Sequence, residues 1–327
     1  MPLPGIIQPE ILAVGADLRL RKYDGRHDFA LPWYRDAETL RLIGGNTVPY
    51  DAEKVARMYR YLDGKGELYF IEIRDGDGFR PIGDVTWWKD DMPIVIGDAF
   101  CRGRGIGRRV IGALINRAKS LGLASLGVDE IYLFNTASRR AFEACGFQKS
   151  AESDTGISLH IPLLPIEFRP VCEFPRGTLH ALLCDAYASN LRCAEHWEAD
   201  WRKFDDCFYD NPEIADKSGF VTVLGDTPVG FVSWDPRGLP ERAIIGHNCI
   251  AAACKGRGYG RAQLREAVFR LAESGAKTLA VTTNSQLFPA SAMYEGVGFH
   301  ETNRRANIGN DAFAGDYIDY ELIVTKG

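Results

Sequence analysis

The chain has 327 residues, of which 46% are hydrophobic and 25% are charged, and its formal net charge is −5 at pH 7. This length exceeds one ordinary core and suits two domains of roughly 150 residues each, and the apolar content excludes wholesale disorder. The acidic balance disfavours a nucleic acid or an anionic membrane as partner, because both attract a basic protein surface. A cationic or amine-bearing acceptor suits this charge, as do many other ligands.

The cysteines and the N-terminal segment indicate a reducing compartment. The eight cysteines, at positions 101, 145, 172, 184, 193, 207, 249 and 254, include no C-x-x-C pair, and no histidine is spaced beside them as a ligand. We therefore expect no metal site, and reduced thiols in a cytoplasmic protein. The N-terminus lacks the basic region and apolar stretch of a signal peptide, and no apolar run approaches the ~20 residues that span a bilayer.

The first half of the chain mixes short apolar runs with a stretch of helical period. The turn-rich segment DGDGF (75–79) between two apolar runs predicts a hairpin, and the run PIVIGDAF (93–100) predicts a strand buried on both faces. In chain order the predicted elements are a strand at 18–22, helical structure at 35–62, strands at 68–74, 81–88 and 93–100, a helix from 106 closed by Gly122, a strand at 129–135, a short helix ending at Gly146, and two closing strands within 147–163.

The second half predicts a similar series of elements. The segment PLLP (162–165) is taken as the linker, so the predicted domains are residues 1–163 and 164–327. The predicted elements are a strand at 166–171, helical structure at 178–206, a hairpin at 219–234 that turns at Gly225 and Asp226, a central strand at 243–250, a helix from 259 to about 274, a strand at 278–284 and a short helix at 290–297.

Three sequence blocks occur twice, in the same order and at nearly one offset. Gly107 and Gly260 are 153 positions apart, while Gly146 and Gly298 are 152 positions apart. This internal repeat predicts two copies of one fold. The matching blocks are PIGDVTWW (81–88) with PVGFVSWD (228–235), CRGRGIG (101–107) with CKGRGYG (254–260), and AFEACGF (141–147) with MYEGVGF (293–299).

The glycine-rich block of each copy lies between a predicted strand and a predicted helix, which is a phosphate-binding arrangement. Glycines allow close backbone approach, and several N–H groups converge at a helix N-terminus whose dipole favours negative charge. A P-loop is excluded, because no G-K-[ST] follows, and the glycines at 103, 105 and 107 do not fit the dinucleotide fingerprint. The interpretation that is left is the pyrophosphate loop of a coenzyme A-dependent transferase.

With these motifs the chain resembles the GNAT superfamily of N-acetyltransferases, and the resemblance extends over nearly the whole chain in two passes. The family's motif A corresponds to RGRGIG (102–107) and to KGRGYG (255–260), where Lys255 replaces the usual Arg or Gln. Its motif B corresponds to residues 135–147 and 284–299. The resemblance implies an α/β fold of two tandem GNAT domains, each with a mixed, mostly antiparallel central sheet flanked by helices.

The resemblance also implies acetyl-CoA as co-substrate and two sets of binding residues. The pyrophosphate would lie on the backbone amides of 103–108 or 256–261, with arginine side chains adding charge, and the pantetheine arm in the cleft where the central strand separates from the next one. The implied binding residues are Arg102, Gly103, Arg104, Gly105, Ile106, Gly107, Arg108 and Asn135 in the first copy, and Lys255, Gly256, Arg257, Gly258, Tyr259, Gly260 and Arg261 in the second.

The catalytic positions differ between the copies. The family's motif B tyrosine, which protonates the leaving thiolate, is Tyr294 in the second copy but Phe142 in the first. Asn135 precedes Phe142 by seven residues, whereas Asn284 precedes Tyr294 by ten, so Asn284 is not assigned Asn135's role. His247 is the candidate base because imidazole titrates near neutral pH. The carboxylates near the expected clefts are Asp84, Asp98, Asp235 and Glu241.

The resemblance therefore implies an N-acetyltransferase that moves an acetyl group from acetyl-CoA to a primary amine by direct attack on the thioester. The acceptor would be a small molecule, such as an aminoglycoside-like amine, or a peptide amine. An alternative is that one or both halves are non-catalytic acyl-CoA-binding or regulatory modules. Because it retains Tyr294, the second half is predicted to carry turnover, while the first half keeps the better pyrophosphate loop, so the opposite assignment stays open. The sequence leaves the acceptor and the oligomeric state open.

Overall fold

The computed structural model describes residues 3–45, 47–308 and 312–324. Short 3-10 helices occur at Asp28–Ala30, Trp33–Arg35 and Ala99–Cys101 of the first half. The helices and strands of this half are β1 (Ile11–Ala13), β2 (Leu18–Lys22), α1 (Ala37–Gly44), α2 (Ala52–Lys65), β3 (Glu67–Asp75), β4 (Gly78–Trp87), β5 (Ile94–Ile96), α3 (Ile106–Ser120), β6 (Ser125–Tyr132), α4 (Thr136–Glu143), β7 (Gln148–Glu152) and β8 (Gly156–Pro162).

From its hairpin onward the second half repeats this order of elements, but before the hairpin it has one strand and three helices where the first half has two strands and two helices. Its helices and strands are β9 (Glu167–Arg169), α5 (Thr178–Ala186), α6 (Leu191–Asp210), α7 (Pro212–Lys217), β10 (Gly219–Leu224), β11 (Thr227–Asp235), β12 (Arg242–Ile250), α8 (Tyr259–Glu273), β13 (Thr278–Asn284), α9 (Phe288–Val297), β14 (His300–Arg305) and β15 (Tyr317–Ile323). Within the described part of the chain, every helix is too short or too polar to cross a bilayer.

In both halves the central strand separates from the strand that follows it in the chain. In the first half, β1 to β5 form one antiparallel sheet in chain order, and β6, β8 and β7 form a second sheet. In the second half, seven strands form one sheet in the order β14-β15-β13-β12-β11-β10-β9. There β12 and β13 run parallel but pair only from Arg242 to Ile244 with Thr278 to Ala280, and then diverge. Each half therefore has a cleft between its central strand and the next strand.

The predicted two-copy architecture is confirmed, but two strands of the first half were placed inaccurately. The strand predicted at 93–100 is only Ile94–Ile96, and its residues are half-buried rather than buried on both faces. The cleft explains this, because β5 pairs with β4 on one side only. Beyond it the backbone turns, and the Asp98 side chain accepts a hydrogen bond from Phe100 N at 3.0 Å. The strand predicted at 129–135 is Ser125–Tyr132.

Both stretches predicted to be helical are helical, but each contains two helices instead of one. The stretch 35–62 contains α1 and α2, separated where Gly45 ends α1 with a φ of +64°. The stretch 178–206 contains α5 and most of α6. Helix α3 buries the face that its period predicts, which fixes the glycine-rich loop before it against the first sheet; the fully buried residues of that face are Val110, Ile111, Leu114 and Ala118.

Candidate acyl-CoA and catalytic sites

The first glycine-rich loop presents free amides at the start of α3. Gly103 and Gly105 have φ values of +71° and +76°, a region that side-chain-bearing residues rarely adopt, so glycine is required there. The first intrahelical hydrogen bond runs from Arg109 N to Gly105 O at 3.2 Å. The amides of Ile106, Gly107 and Arg108 therefore have no acceptor within the helix, and they point with the helix dipole toward one location.

A cavity of about 530 Å³ begins at this loop and follows the cleft of the first half. One wall is β5, the opposite wall is α4, and the end of α1 closes a third side. The residues that line it are Thr39, Leu42, Ile43, Ile94, Val95, Ile96, Arg102, Gly103, Gly105, Gly107, Arg108, Ile111, Asn135, Ala137, Ser138, Arg140, Ala141 and Phe142. The cavity thus has a cationic, amide-rich end and a mostly apolar channel, which suits a ligand with a diphosphate and an extended thiol arm.

Arg102 lines the cavity, but its guanidinium donates hydrogen bonds to other groups of the protein. Its Nε donates to Ile96 O at 2.9 Å, and its Nη2 donates to Thr39 Oγ1 at 2.6 Å and contacts Asp36 Oδ2 at 3.2 Å. Arg102 thus ties the N-terminus of α1 to β5. Arg108 and Arg140 also line the cavity, while Arg104 is exposed on the loop.

Asn135 joins α4 to α1 beside the cavity. Its Oδ1 accepts from Ser138 N at 3.1 Å, which caps α4, and its Nδ2 donates to Leu42 O at 3.1 Å. Ser138 and Arg140 also line the cavity but were not predicted from the sequence as site residues. The signal for Ser138 is its four-residue spacing from Phe142, which places both side chains on the same face of α4. Phe142 is 1% exposed and packs edge-on against Phe147.

The second glycine-rich loop has the same backbone with different surroundings. Gly256 and Gly258 have φ values of +76° and +85°, and α8 begins with the bond from Ala262 N to Gly258 O. A Cβ on Gly260 would lie 3.2 Å from Met293 Sδ, whereas a Cβ on Gly107 would have no heavy atom within 4 Å. The long side chain of Met293 in α9 therefore reaches its loop, whereas α4 has Ala141 at the matching position.

The side chains around the second loop are also engaged elsewhere. Lys255 Nζ donates to the carbonyl of Ala186 at the end of α5. Tyr259 is buried against Ile166 and the end of β12. Arg261 turns toward Gly296 and the first half, and Arg257 remains exposed.

Tyr294 lies in the core of the second half. It is 5% exposed, and burial raises the pKa of its hydroxyl to about 12. Burial also raises the pKa of Tyr187, as do the nearby Cys249 and Tyr294. Asn284 does not repeat the cap made by Asn135, because its Nδ2 donates to Gly315 O at 2.7 Å and α9 begins only at Phe288.

His247 belongs to a different cluster from Tyr294. Its ring packs edge-on against Phe204 with centroids 4.6 Å apart and also contacts Phe231, whereas Tyr294 packs with Phe299 and Tyr320. Burial lowers the pKa of His247 to about 4. The imidazole is therefore neutral at pH 7 but a weak proton acceptor.

The four candidate carboxylates have different environments. Asp98 pairs with Arg80 at 2.8 Å, Asp235 with Arg237 at 2.5 Å and Glu241 with Lys277 at 2.6 Å. Asp84 is 2% exposed, and its Oδ2 accepts from Tyr34 at 2.8 Å and Tyr59 at 2.9 Å. Burial raises the pKa of Asp84 to about 6, although both hydrogen bonds oppose that shift. Asp84 is thus a carboxylate that titrates close to neutral pH.

Two family models match the chain, one in each half. The acetyltransferase (GNAT) domain matches residues 17–148, and the acetyltransferase (GNAT) family matches residues 180–299. The chain therefore belongs to the GNAT acetyltransferases and carries two GNAT domains in tandem. No curated protein matches it. Within the described ranges, no group of three or more His, Cys, Asp or Glu side chains is placed to hold a metal ion.

Several solved structures resemble part of the chain. An acetyltransferase from Bacillus subtilis in complex with CoA is 16% identical, with a TM-score of 0.36, and the match covers 49% of this chain and 98% of that one. The ribosomal-protein-S18-alanine N-acetyltransferase from Escherichia coli is 21% identical, with a TM-score of 0.33, over 38% and 79% of the two chains. A domain from Methanocaldococcus jannaschii is 19% identical, with a TM-score of 0.38, over 44% and 97%.

Proposed function

We propose that this protein is an N-acetyltransferase that binds acetyl-CoA in the cavity of its first domain and transfers the acetyl group to a primary amine. The observation that carries the proposal is the cavity of about 530 Å³ that continues from the free amides of the first glycine-rich loop. The diphosphate accepts hydrogen bonds from the amides of Ile106, Gly107 and Arg108, and Arg108 and Arg140 offset its charge. The thiol arm lies along β5 toward Asn135.

The chemistry requires proton transfers at the amine and at the thiol. The ammonium form of the acceptor first loses a proton to a base, the free nitrogen then bonds to the acetyl carbon and loses its second proton, the carbon–sulfur bond breaks, and the departing thiolate takes up a proton. In the first domain, Asp84 is the base that we propose, because a carboxyl with a pKa of about 6 is ionised at pH 7 yet remains basic. Its strand neighbour Val95 lines the cavity, and the Tyr34 and Tyr59 hydroxyls on Asp84 connect it to the segment before α1 and to α2.

The second domain supports a competing assignment of the acid. Tyr294 has a hydroxyl where the first domain has Phe142, and a pKa of about 12 keeps it protonated at neutral pH. We therefore retain Tyr294 as the candidate acid of a second catalytic site, with His247 as its weak base. In the second domain the side chain of Met293 lies against the loop, and the ammonium group of Lys255 is bound to Ala186 O. Both contacts favour the first domain for acetyl-CoA binding.

The acceptor proposed here is a cationic amine on a small molecule, such as an aminoglycoside-like compound, or on a peptide. The net charge of −5 supports a cationic acceptor by raising its local concentration. A panel of amines with acetyl-CoA, read by thiol release, tests this part of the proposal directly.

The test of acetyl-CoA binding uses a pair of glycines in one helix. Gly107 and Gly112 both lie in α3, and a Cβ on either would meet no heavy atom within 4 Å. Gly107 lines the cavity, whereas Gly112 lines a separate groove beside β1. Gly107→Val places a side chain where the diphosphate lies, without the backbone strain that Gly105→Val would add at its φ of +76°. Gly112→Val is the control.

We expect Gly107→Val to weaken acetyl-CoA binding at least tenfold by calorimetry and to reduce turnover, while Gly112→Val leaves both unchanged. Far-ultraviolet circular dichroism verifies that both variants are folded. A folded Gly107→Val protein with wild-type affinity would show that acetyl-CoA does not lie in the first-domain cavity. Equivalent loss after Gly260→Val instead would assign binding to the second domain.

A further inference from the structure

The two domains differ in where the motif B helix has a hydroxyl group. The glycine–phenylalanine pairs that follow α4 and α9 are 152 positions apart. At the same offset Phe142 corresponds to Tyr294, and Ser138 corresponds to Ala290. Four residues are about one helical turn, so each domain has a hydroxyl at one of two stacked positions and an apolar side chain at the other. The first domain therefore lacks the tyrosine hydroxyl but has another hydroxyl one turn earlier.

Ser138 lies in the centre of the α4 face that lines the first-domain cavity. Asn135, Ala141 and Phe142 line the same cavity, and their spacing of three or four residues from Ser138 places them on the same side of the helix. Ser138 is half-buried, and its backbone N–H donates to Asn135 Oδ1 at 3.1 Å. Its side chain therefore borders the channel next to Asn135, toward which the thiol arm is proposed to run.

The hydroxyl proton of Ser138 is not used by the protein itself. The residues that line the cavity include one other hydroxyl, that of Thr39, which donates to Asp36 Oδ2 at 2.8 Å. The side-chain amide of Asn135 is also engaged, because its Nδ2 donates to a backbone carbonyl of α1. Among the described residues, Ser138 Oγ has no hydrogen-bond partner, so this hydroxyl is free to donate to a ligand in the channel.

We propose that Ser138 donates a hydrogen bond to the departing sulfur in the first domain, at the step for which the second domain has the Tyr294 hydroxyl. This inference rests on the proposed function, which places the thiol arm along β5. As the carbon–sulfur bond breaks, its electron pair stays on sulfur, and Ser138 Oγ–H stabilises the charge that develops there. An alcohol is a much weaker acid than a thiol, so Ser138 keeps its proton. Water supplies the proton that completes the thiol, and the protons that the amine loses return to water.

A binding experiment on the full chain tests this contact without turnover. The ligands are CoA, whose thiol ionises, and desulfo-CoA, which has a hydrogen atom in place of the thiol group. A hydrogen bond from Ser138 favours the thiolate, so the pKa of the bound CoA thiol should be lower in the wild type than in Ser138→Ala. The ultraviolet absorbance of the thiolate during a pH titration measures this pKa, with the desulfo-CoA complex of the same protein as the blank. Calorimetry with desulfo-CoA verifies that the rest of the ligand binds both proteins equally.

Two substitutions at position 138 separate the hydroxyl from the packing of α4. Ser138→Ala removes only the hydroxyl, since the backbone N–H at this position still donates to Asn135. Ser138→Thr keeps a hydroxyl there. Ser120→Ala is the matched control, because Ser120 is an exposed helical serine of the same domain whose Oγ donates to Arg117 O at 2.7 Å. Far-ultraviolet circular dichroism verifies that the three variants are folded.

We expect Ser138→Ala to lower kcat about tenfold or more with an unchanged KM for acetyl-CoA, and to raise the pKa of the bound thiol by about one pKa unit. Ser138→Thr and Ser120→Ala should keep both values near those of the wild type. An unchanged thiol pKa in Ser138→Ala would overturn the inference even if kcat falls, since a purely structural role also lowers kcat. Turnover that is lost in Gly107→Val but intact in Ser138→Ala would overturn it as well and leave the proposed function standing. Turnover that survives both substitutions would overturn both.

Discussion

Asp84→Asn is predicted to stabilise the protein at neutral pH and to leave it almost unchanged near pH 4. The carboxylate is buried against Tyr34 and Tyr59, and both hydroxyls donate to the same oxygen. Asparagine keeps the shape and keeps an oxygen that accepts both hydrogen bonds. What it removes is the charge, which burial in this site disfavours.

The magnitude follows from the raised pKa. Asp84 has a pKa of about 6 in the folded protein against an ordinary value of 3.8. Because the folded value is higher, the contribution of Asp84 to stability is fully present below about pH 4 and is lost as the pH rises through 6. At about 1.4 kcal/mol per pKa unit, this loss is roughly 3 kcal/mol by pH 7 and above. The asparagine variant does not titrate and does not lose it.

Thermal and urea unfolding between pH 4 and 8 measures this difference. Subtracting the wild-type profile from that of Asp84→Asn cancels every other titrating group, and the difference should rise by about 3 kcal/mol across the range. Asp77→Asn, at the exposed turn of the same hairpin, is the control for removing one carboxylate from the surface of this domain. Parallel profiles for Asp84→Asn and wild type would refute the raised pKa and, with it, the reason for assigning Asp84 as base.

Two further predictions concern the hydroxyl of Tyr294 and the packing of Gly97 against Trp33. If the second domain turns over substrate, Tyr294→Phe lowers kcat at least tenfold with little change in the KM for acetyl-CoA, because the hydroxyl acts mainly in the transition state. Phe142→Tyr is expected to have little effect. Steady-state kinetics measures both variants, and an unchanged kcat in Tyr294→Phe would contradict the acid role. Gly97→Ala should lower the free energy of unfolding in urea by about 1–3 kcal/mol, because a Cβ at this position would lie 2.2 Å from the Trp33 side chain. A variant with the wild-type free energy of unfolding would contradict this packing.

The sequence predicted well the features that depend on nearby residues. The glycines of both loops have the positive φ values that their role requires, and each loop is followed directly by a helix. The hairpin around Asp75 and Gly78 and the one around Gly225 lie where turn residues interrupt apolar runs. Such features are set by backbone preferences within a few residues, so a single sequence contains them.

Features that depend on distant contacts were not predictable. The pKa of His247 is low because α6 brings Phe204 against it, and nothing near position 247 indicates that contact. The hydrogen bond of Arg102 to Thr39 joins residues 63 positions apart. In the sequence Asp84 is one of four equivalent carboxylates, and its contacts with Tyr34 and Tyr59 distinguish it from the rest. In each case tertiary packing decides the chemistry of the side chain.

The two domains have the same loop backbone but differ in the space beside the loop. Both loops keep the glycine backbone, because φ and helix capping are local properties. The space beside each loop depends on the side chains that the following helix presents to it, and α9 presents Met293 where α4 presents Ala141. Asn284 binds Gly315 instead of capping α9, and Met293 approaches Gly260. A matching loop therefore indicates that the two domains share a fold, whereas the cavity beside the first loop is what supports acetyl-CoA binding in the first domain.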